Sequence, residues 1–172
     1  MLSPIDIAVA IVLAEHPGSK FEELSDILGI SVSKAFGAVE RLMRAGLMLP
    51  EGRRIDRLAL LEFLEHGLRY VFPAEPGHMK KGVPTAHSGP ILAREIDSGG
   101  EAYVWPSPNG SARGREIVPL APKASELPLR SPQAYEALSL VDALRVGRAR
   151  ERKLASQALR KRFNLGAAGL AL

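Results

Sequence analysis

The chain has 172 residues, 46% hydrophobic and 24% charged, enough to bury a core in one domain or in a small domain with an appendage. It has no cysteine, which excludes a disulfide framework, a thiolate nucleophile and a Cys-based zinc site. The net charge of +4 is unevenly spread: residues 1–65 carry −3, residues 66–130 carry +2 and residues 131–172 carry +5.

Three helices are predicted before residue 47. Ser3-Pro4 supplies an N-cap and a proline at the first helical position, and the apolar run that follows extends to about Glu15. That run is too short to span a bilayer, and Asp6 with no basic residue before it argues against a signal peptide, so no membrane association and a cytoplasmic location are expected. "HPGS" (16–19) breaks the helix. Ser19 with Glu22 has the spacing of a capping box for a second helix whose inward positions are Phe21, Leu24, Ile27 and Leu28. Gly29 has the place of a left-handed stop, and Ser31 that of the next cap. In the third helix Ala35, Val39 and Leu42 form the inward stripe, which turns Val32, Ser33, Phe36, Gly37 and Glu40 outward with Lys34 and Arg41 on the flanks; Gly46 ends it.

The stretch "LSDILGISVSKAFGAVERLMRAGLM" (24–48) resembles the winged helix-turn-helix of MarR-like bacterial regulators, with Leu28-Gly29-Ile30-Ser31 and Leu42 through Ala45-Gly46-Leu47 at matching separations. The resemblance covers residues 1 to about 68. It implies a DNA-binding fold in which residues 47–56 form a two-stranded wing around Pro50-Glu51-Gly52. The DNA-contacting set is then Ser31, Val32, Ser33, Lys34, Phe36, Gly37, Arg41, Arg44, Arg53, Arg54 and Arg57. Ser33 would meet a base edge or phosphate, an apolar side chain a thymine methyl, and the cations phosphate. A further helix from Arg57 to about Arg69 is rich in leucine. Leu61, Leu64 and Leu68, together with Leu138 and Val141, offer more apolar surface than a small winged domain needs, which suggests a homodimer.

Residues 73–130 hold nine prolines among many glycines, which excludes long helices. "AYVWP" (102–106) and "EIVPL" (116–120) are short extended pieces flanking a stretch that could close a hairpin or be an exposed loop, with Trp105 as an anchor. His66, His78 and His87 match no ligand spacing, and no phosphate loop, nucleophile elbow or paired-carboxylate motif occurs, so neither metal, cofactor nor enzymatic activity is expected. Ser131-Pro132 starts a helix with Tyr135, Leu138, Val141 and Leu144 inward, and Gly147 breaks or bends it. The basic run that follows, Arg148, Arg150, Arg152, Lys153, Arg160, Lys161 and Arg162, offers a solvated face, further phosphate contacts or a surface for an acidic partner protein. The tail "GAAGLAL" is expected to fray or dock.

The expected fold class is mainly α (α+β): a winged helix-turn-helix at 1–69, a Pro/Gly-rich arm with short strands at 70–130 and basic C-terminal helices at 131–172. The expected function is that of a homodimeric bacterial transcriptional regulator on double-stranded DNA. The alternatives are an antitoxin-like protein-interaction module and an RNA-binding winged helix.

Overall fold

The computed structural model describes residues 1–97 and 99–166; the tail from residue 167 lies outside them. The fold is mainly helical with one small mixed sheet. Helix α1 (Pro4–Glu15) is apolar on every side, and every residue from Ile7 to Ala14 is buried, so it is a core helix rather than a surface helix with one apolar face. Helix α2 (Phe21–Leu28) ends at Gly29, whose φ of 64° is the left-handed stop expected, and α3 (Val32–Arg44) starts from Ser31, whose hydroxyl accepts from the Lys34 amide. The capping box expected from Ser19 and Glu22 does not form. Ser19 is buried and donates to the His16 carbonyl, and the residue preceding α2 is Lys20.

After α3 a single antiparallel bridge joins Met48 and Ile55, reinforced by Leu49 N–H to Arg54 O and Asp56 N–H to Leu47 O. Gly52, with φ 67°, lies in the turn. The leucine-rich helix expected over 57–69 is divided at Gly67 into α4 (Arg57–His66) and α5 (Leu68–Val71). Leu61, Leu64 and Leu68 are buried, as are Leu138 and Val141, so the surface expected to drive pairing is used inside one chain.

The Pro/Gly-rich arm contains three short strands, β1 (Met79–Pro84), β2 (Tyr103–Pro106) and β3 (Ala112–Glu116). β1 pairs antiparallel with both others, and β2 and β3 are parallel along Tyr103–Arg115 and Val104–Glu116, so the three strands close on one another. Of the two readings left open for the stretch between 102–106 and 116–120, a hairpin does not form: the second strand is Ala112–Glu116, it meets β2 in parallel, and β1 pairs antiparallel with both. Gly82 makes this closure possible, since a Cβ there would fall 2.1 Å from the Trp105 carbonyl oxygen.

Short α6 (Leu127–Arg130) leads into α7 (Pro132–Val146), capped by Ser131 as expected, and Gly147 separates it from α8 (Ala149–Arg162). α7 is the second core helix. It packs on α1, on α4 and α5, and on α8. It also carries the anchor of the arm. The Asp142 carboxylate, buried, accepts from Trp105 Nε1 (2.7 Å), Thr85 Oγ1 (2.8 Å) and Arg145 Nη1 (2.8 Å). Burial pushes the Asp142 carboxyl up, while Arg145, Thr85 and Trp105 pull it down. Arg145 reaches onward to the carbonyls of Phe72 and Val118, holding both ends of the arm to one guanidinium. Trp105 thus anchors the segment, as its place in the sequence suggests.

Candidate nucleic-acid interface

α3 turns its two sides as its periodicity predicts. Ala35, Ala38, Val39 and Leu42 are buried, while Val32, Ser33, Lys34, Phe36, Glu40, Met43 and Arg44 are exposed and Gly37 is half-buried. The turn leading into it is held from outside the first 69 residues. Arg130 Nη1 donates to the Asp26 carbonyl at 2.9 Å, and a Cβ at Gly29 would fall 2.6 Å from the Lys123 side chain.

The exposed side is apolar in its centre. Phe36 is 49% exposed and stands edge-on to Phe21, ring centroids 5.4 Å apart; the guanidinium of Arg53 lies over the other partner of that pair, 4.4 Å from the Phe21 centroid. Hairpin, α2 and α3 are joined by this stack. Phe21, Phe36, Val39, Glu40, Met43, Arg44 and Arg53 line a cleft of about 340 Å³. Arg53 Nη1 is buried there without a hydrogen-bond partner. The sequence pattern gives Met43 no role. Met43 stands seven residues from Phe36, a spacing that already placed both on one side of a helix. Phe21 showed only as an inward position of α2.

The cations divide into two groups. Lys34, Arg44 and Arg54 are exposed beside the cleft or on the hairpin. Arg41 departs from the phosphate-contact expectation. Its Nε and Nη2 donate to the two oxygens of buried Asp6, each at 2.9 Å, and hydrogen bonding to Asp6 raises its pKa. Gly37 serves this pair, because a Cβ there would stand 3.2 Å from Arg41 Nη1. Arg57 also turns inward and donates to the Ala14 carbonyl at 2.8 Å.

The C-terminal basic run divides in the same way. Arg162 donates to Glu15 at 2.8 and 3.1 Å and to Glu136 at 2.8 Å, and Arg160 to Glu65 at 3.1 Å. Burial works against the Arg162 cation, yet Glu15 and Glu136 outweigh it and its pKa is raised. Arg152 is half-buried and bonds the Gly147 carbonyl at 2.6 Å. Arg148, Arg150, Lys153 and Lys161 are exposed. Arg160 and Arg162 of the C-terminal end are therefore paired with Glu65 and Glu15 of the N-terminal end, within the fold.

The histidines are scattered. His66 and His78 are exposed, and His87 is buried against Tyr103 with Nε2 3.0 Å from the Glu101 carbonyl. Among the described residues no three His, Cys, Asp or Glu side chains come together in a group that could hold a metal ion, and no helix is long and apolar enough to cross a membrane. Comparison with known families, with characterised proteins and with solved structures finds no match.

Proposed function

We propose that the chain binds double-stranded DNA through α3, with α2 and the 47–56 hairpin beside it, as a transcriptional regulator of the winged helix-turn-helix type. One observation carries the reading: α3 follows a left-handed glycine turn from α2, buries one side completely, and leaves the opposite side exposed from Val32 to Arg44. A protruding helix of this kind matches the width of the B-DNA major groove. It does not fit the deep, narrow major groove of A-form RNA, which favours DNA over the RNA reading. Lys34, Arg44 and Arg54 supply phosphate contacts; Arg41 and Arg57 do not, because they are bonded inside the fold.

A second reading has one specific observation in its favour. The cleft at Phe36, Met43 and Arg53 is an apolar hollow with an unpartnered guanidinium N–H, and a protein segment with an acidic and an apolar side chain would satisfy both.

Gel-shift titration over several salt concentrations separates the two. Three phosphates neutralised per copy correspond to a slope of log K against log salt of about −3, and the Lys34→Ala/Arg44→Ala/Arg54→Ala protein should lose affinity for all sequences together with most of that slope. Equal affinity and slope for the triple variant and the wild type would refute the DNA reading.

A further inference from the structure

The outward side of α3 is short of the groups that usually read bases. Arg and Lys recognise guanine, Asn and Gln recognise adenine, and Asp or Glu can accept from cytosine. On this side there is no Asn or Gln, the one lysine lies on the flank, Arg41 is tied to Asp6, and Arg44 lies in the last turn. Ser33 and Glu40 are the remaining hydrogen-bonding side chains. The projecting side chains are Val32 and Phe36, four residues apart, and Met43, seven further on; they are 43%, 49% and 58% exposed. Residues at these intervals share one side of a helix.

Phe36 is not loosely placed. Its ring abuts Phe21, and Arg53 covers Phe21 in turn, so this exposed aromatic side chain is braced before any ligand arrives. Gly37, next to it, adds no side chain that would hold the helix off a base edge. In the major groove a standard base pair shows one apolar group, the C5-methyl of thymine. An apolar, braced reading surface therefore selects that group by default.

We propose that α3 reads DNA mainly through C5-methyl groups, with Val32 and Phe36 as the contacts, so that the preferred duplex is rich in thymine at the positions under the N-terminal half of the helix. This rests on the DNA reading above and adds the chemical feature recognised.

The test uses four short duplexes in competition gel shifts at low salt: alternating A·T, the same duplex with deoxyuridine for every thymine, alternating G·C, and the same duplex with 5-methylcytosine for every cytosine. Removing or adding the methyl leaves the Watson–Crick pairing unchanged. Wild type should bind the thymine duplex more tightly than the uridine duplex by roughly fourfold for each methyl buried. It should also bind the methylated G·C duplex more tightly than the unmethylated one. Both gaps should close in Phe36→Ala and narrow in Val32→Ser, a pair that guards against one variant losing its brace on Phe21. If all four duplexes are bound and wild type does not distinguish thymine from uridine, the methyl reading is overturned and the DNA reading stands. If no duplex is bound, both are overturned and the apolar ridge belongs to a protein partner.

Discussion

Asp6 and Arg41 show how a single pair can decide what a surface offers. Asp6 lies at the start of α1 with its side chain fully buried, accepting both Arg41 bonds and the Ser3 amide at 2.8 Å. A buried carboxylate left without its cation is costly, whereas the intact pair contributes less than its geometry suggests. Arg41→Ala should therefore destabilise the protein by about 2–4 kcal/mol, a range kept moderate because the arginine is partly solvated. Asp6→Asn in the same background should recover part of the loss, since an amide tolerates burial without a charged partner. Urea unfolding of the two single variants and the double variant measures this, and a wild-type midpoint for Arg41→Ala would contradict it. The sequence showed Arg41 as a flanking cation on an outward-facing helix. It could not show the pairing, because the partner is 35 residues away on an element that is otherwise apolar up to Glu15. The same blindness applied to Arg57, whose acceptor is a backbone carbonyl, a group present at every position.

At the scale of elements, α1 and α7 were legible from a Ser-Pro start and an apolar run, α3 from the Ser31 cap and its apolar period, and α2 from its apolar spacing and the Gly29 stop; these are local properties. β1 was not. "MKKGVP" has two adjacent lysines and a terminal proline, and its pairing with two partners depends on Gly82 and on strands that begin more than 20 residues later. The basic stretch in α8 was legible as charge but not as structure. Its partners Glu15, Glu65 and Glu136 come from three other helices or their ends, so Arg160 and Arg162, which looked like part of a free cationic face, form an internal clamp. The two kinds of cation should respond differently to mutation. Arg162→Ala leaves two part-buried carboxylates unpaired and should cost about 2–3 kcal/mol, lowering the melting temperature by roughly 4–12 °C in a chain of this size. Lys153→Ala, on the exposed side, should change it by no more than about 1–2 °C. Calorimetry on the two variants is the check. Equal melting temperatures would mean that the clamp contributes nothing, and any loss of DNA affinity on reversing the exposed cations Arg148, Arg150, Lys153 and Lys161 would then be read without a stability correction.

For the molecule as a whole, the boundary at residue 69 that composition suggests does not coincide with a boundary in packing. One apolar core runs from α1 through α4 to Trp105, Ile117, α7 and α8. α1 is the decisive element. A helix buried on all sides needs neighbours on all sides, and within residues 1–69 those neighbours are α2 and α3, with Arg57 of α4 reaching the Ala14 carbonyl; α7 packs against it from outside that segment. The turn before α3 depends on the same distant part of the chain through Arg130 and Lys123, and Glu15 at the end of α1 depends on Arg162. Cutting the chain after residue 69 would expose the α1 side chains that α7 now covers, each large apolar one worth about 1.5–3 kcal/mol when fully buried, against a total stability of about 5–15 kcal/mol for a typical domain. The fragment 1–69 should accordingly be largely unfolded or aggregated, while the full chain should melt in a single transition seen alike by far-ultraviolet circular dichroism and by Trp105 fluorescence, since Trp105 is buried in the same core. A fragment with full helical signal and an independent melting transition would show that α1 to α4 form a separable unit after all. Coupling of this kind also has a functional side: whatever loosens the arm or α8 reaches α3 through α7 and α1, so substitutions far from the proposed DNA surface, such as Asp142→Ala beneath Trp105, should weaken binding through loss of folded protein rather than through altered preference among duplexes.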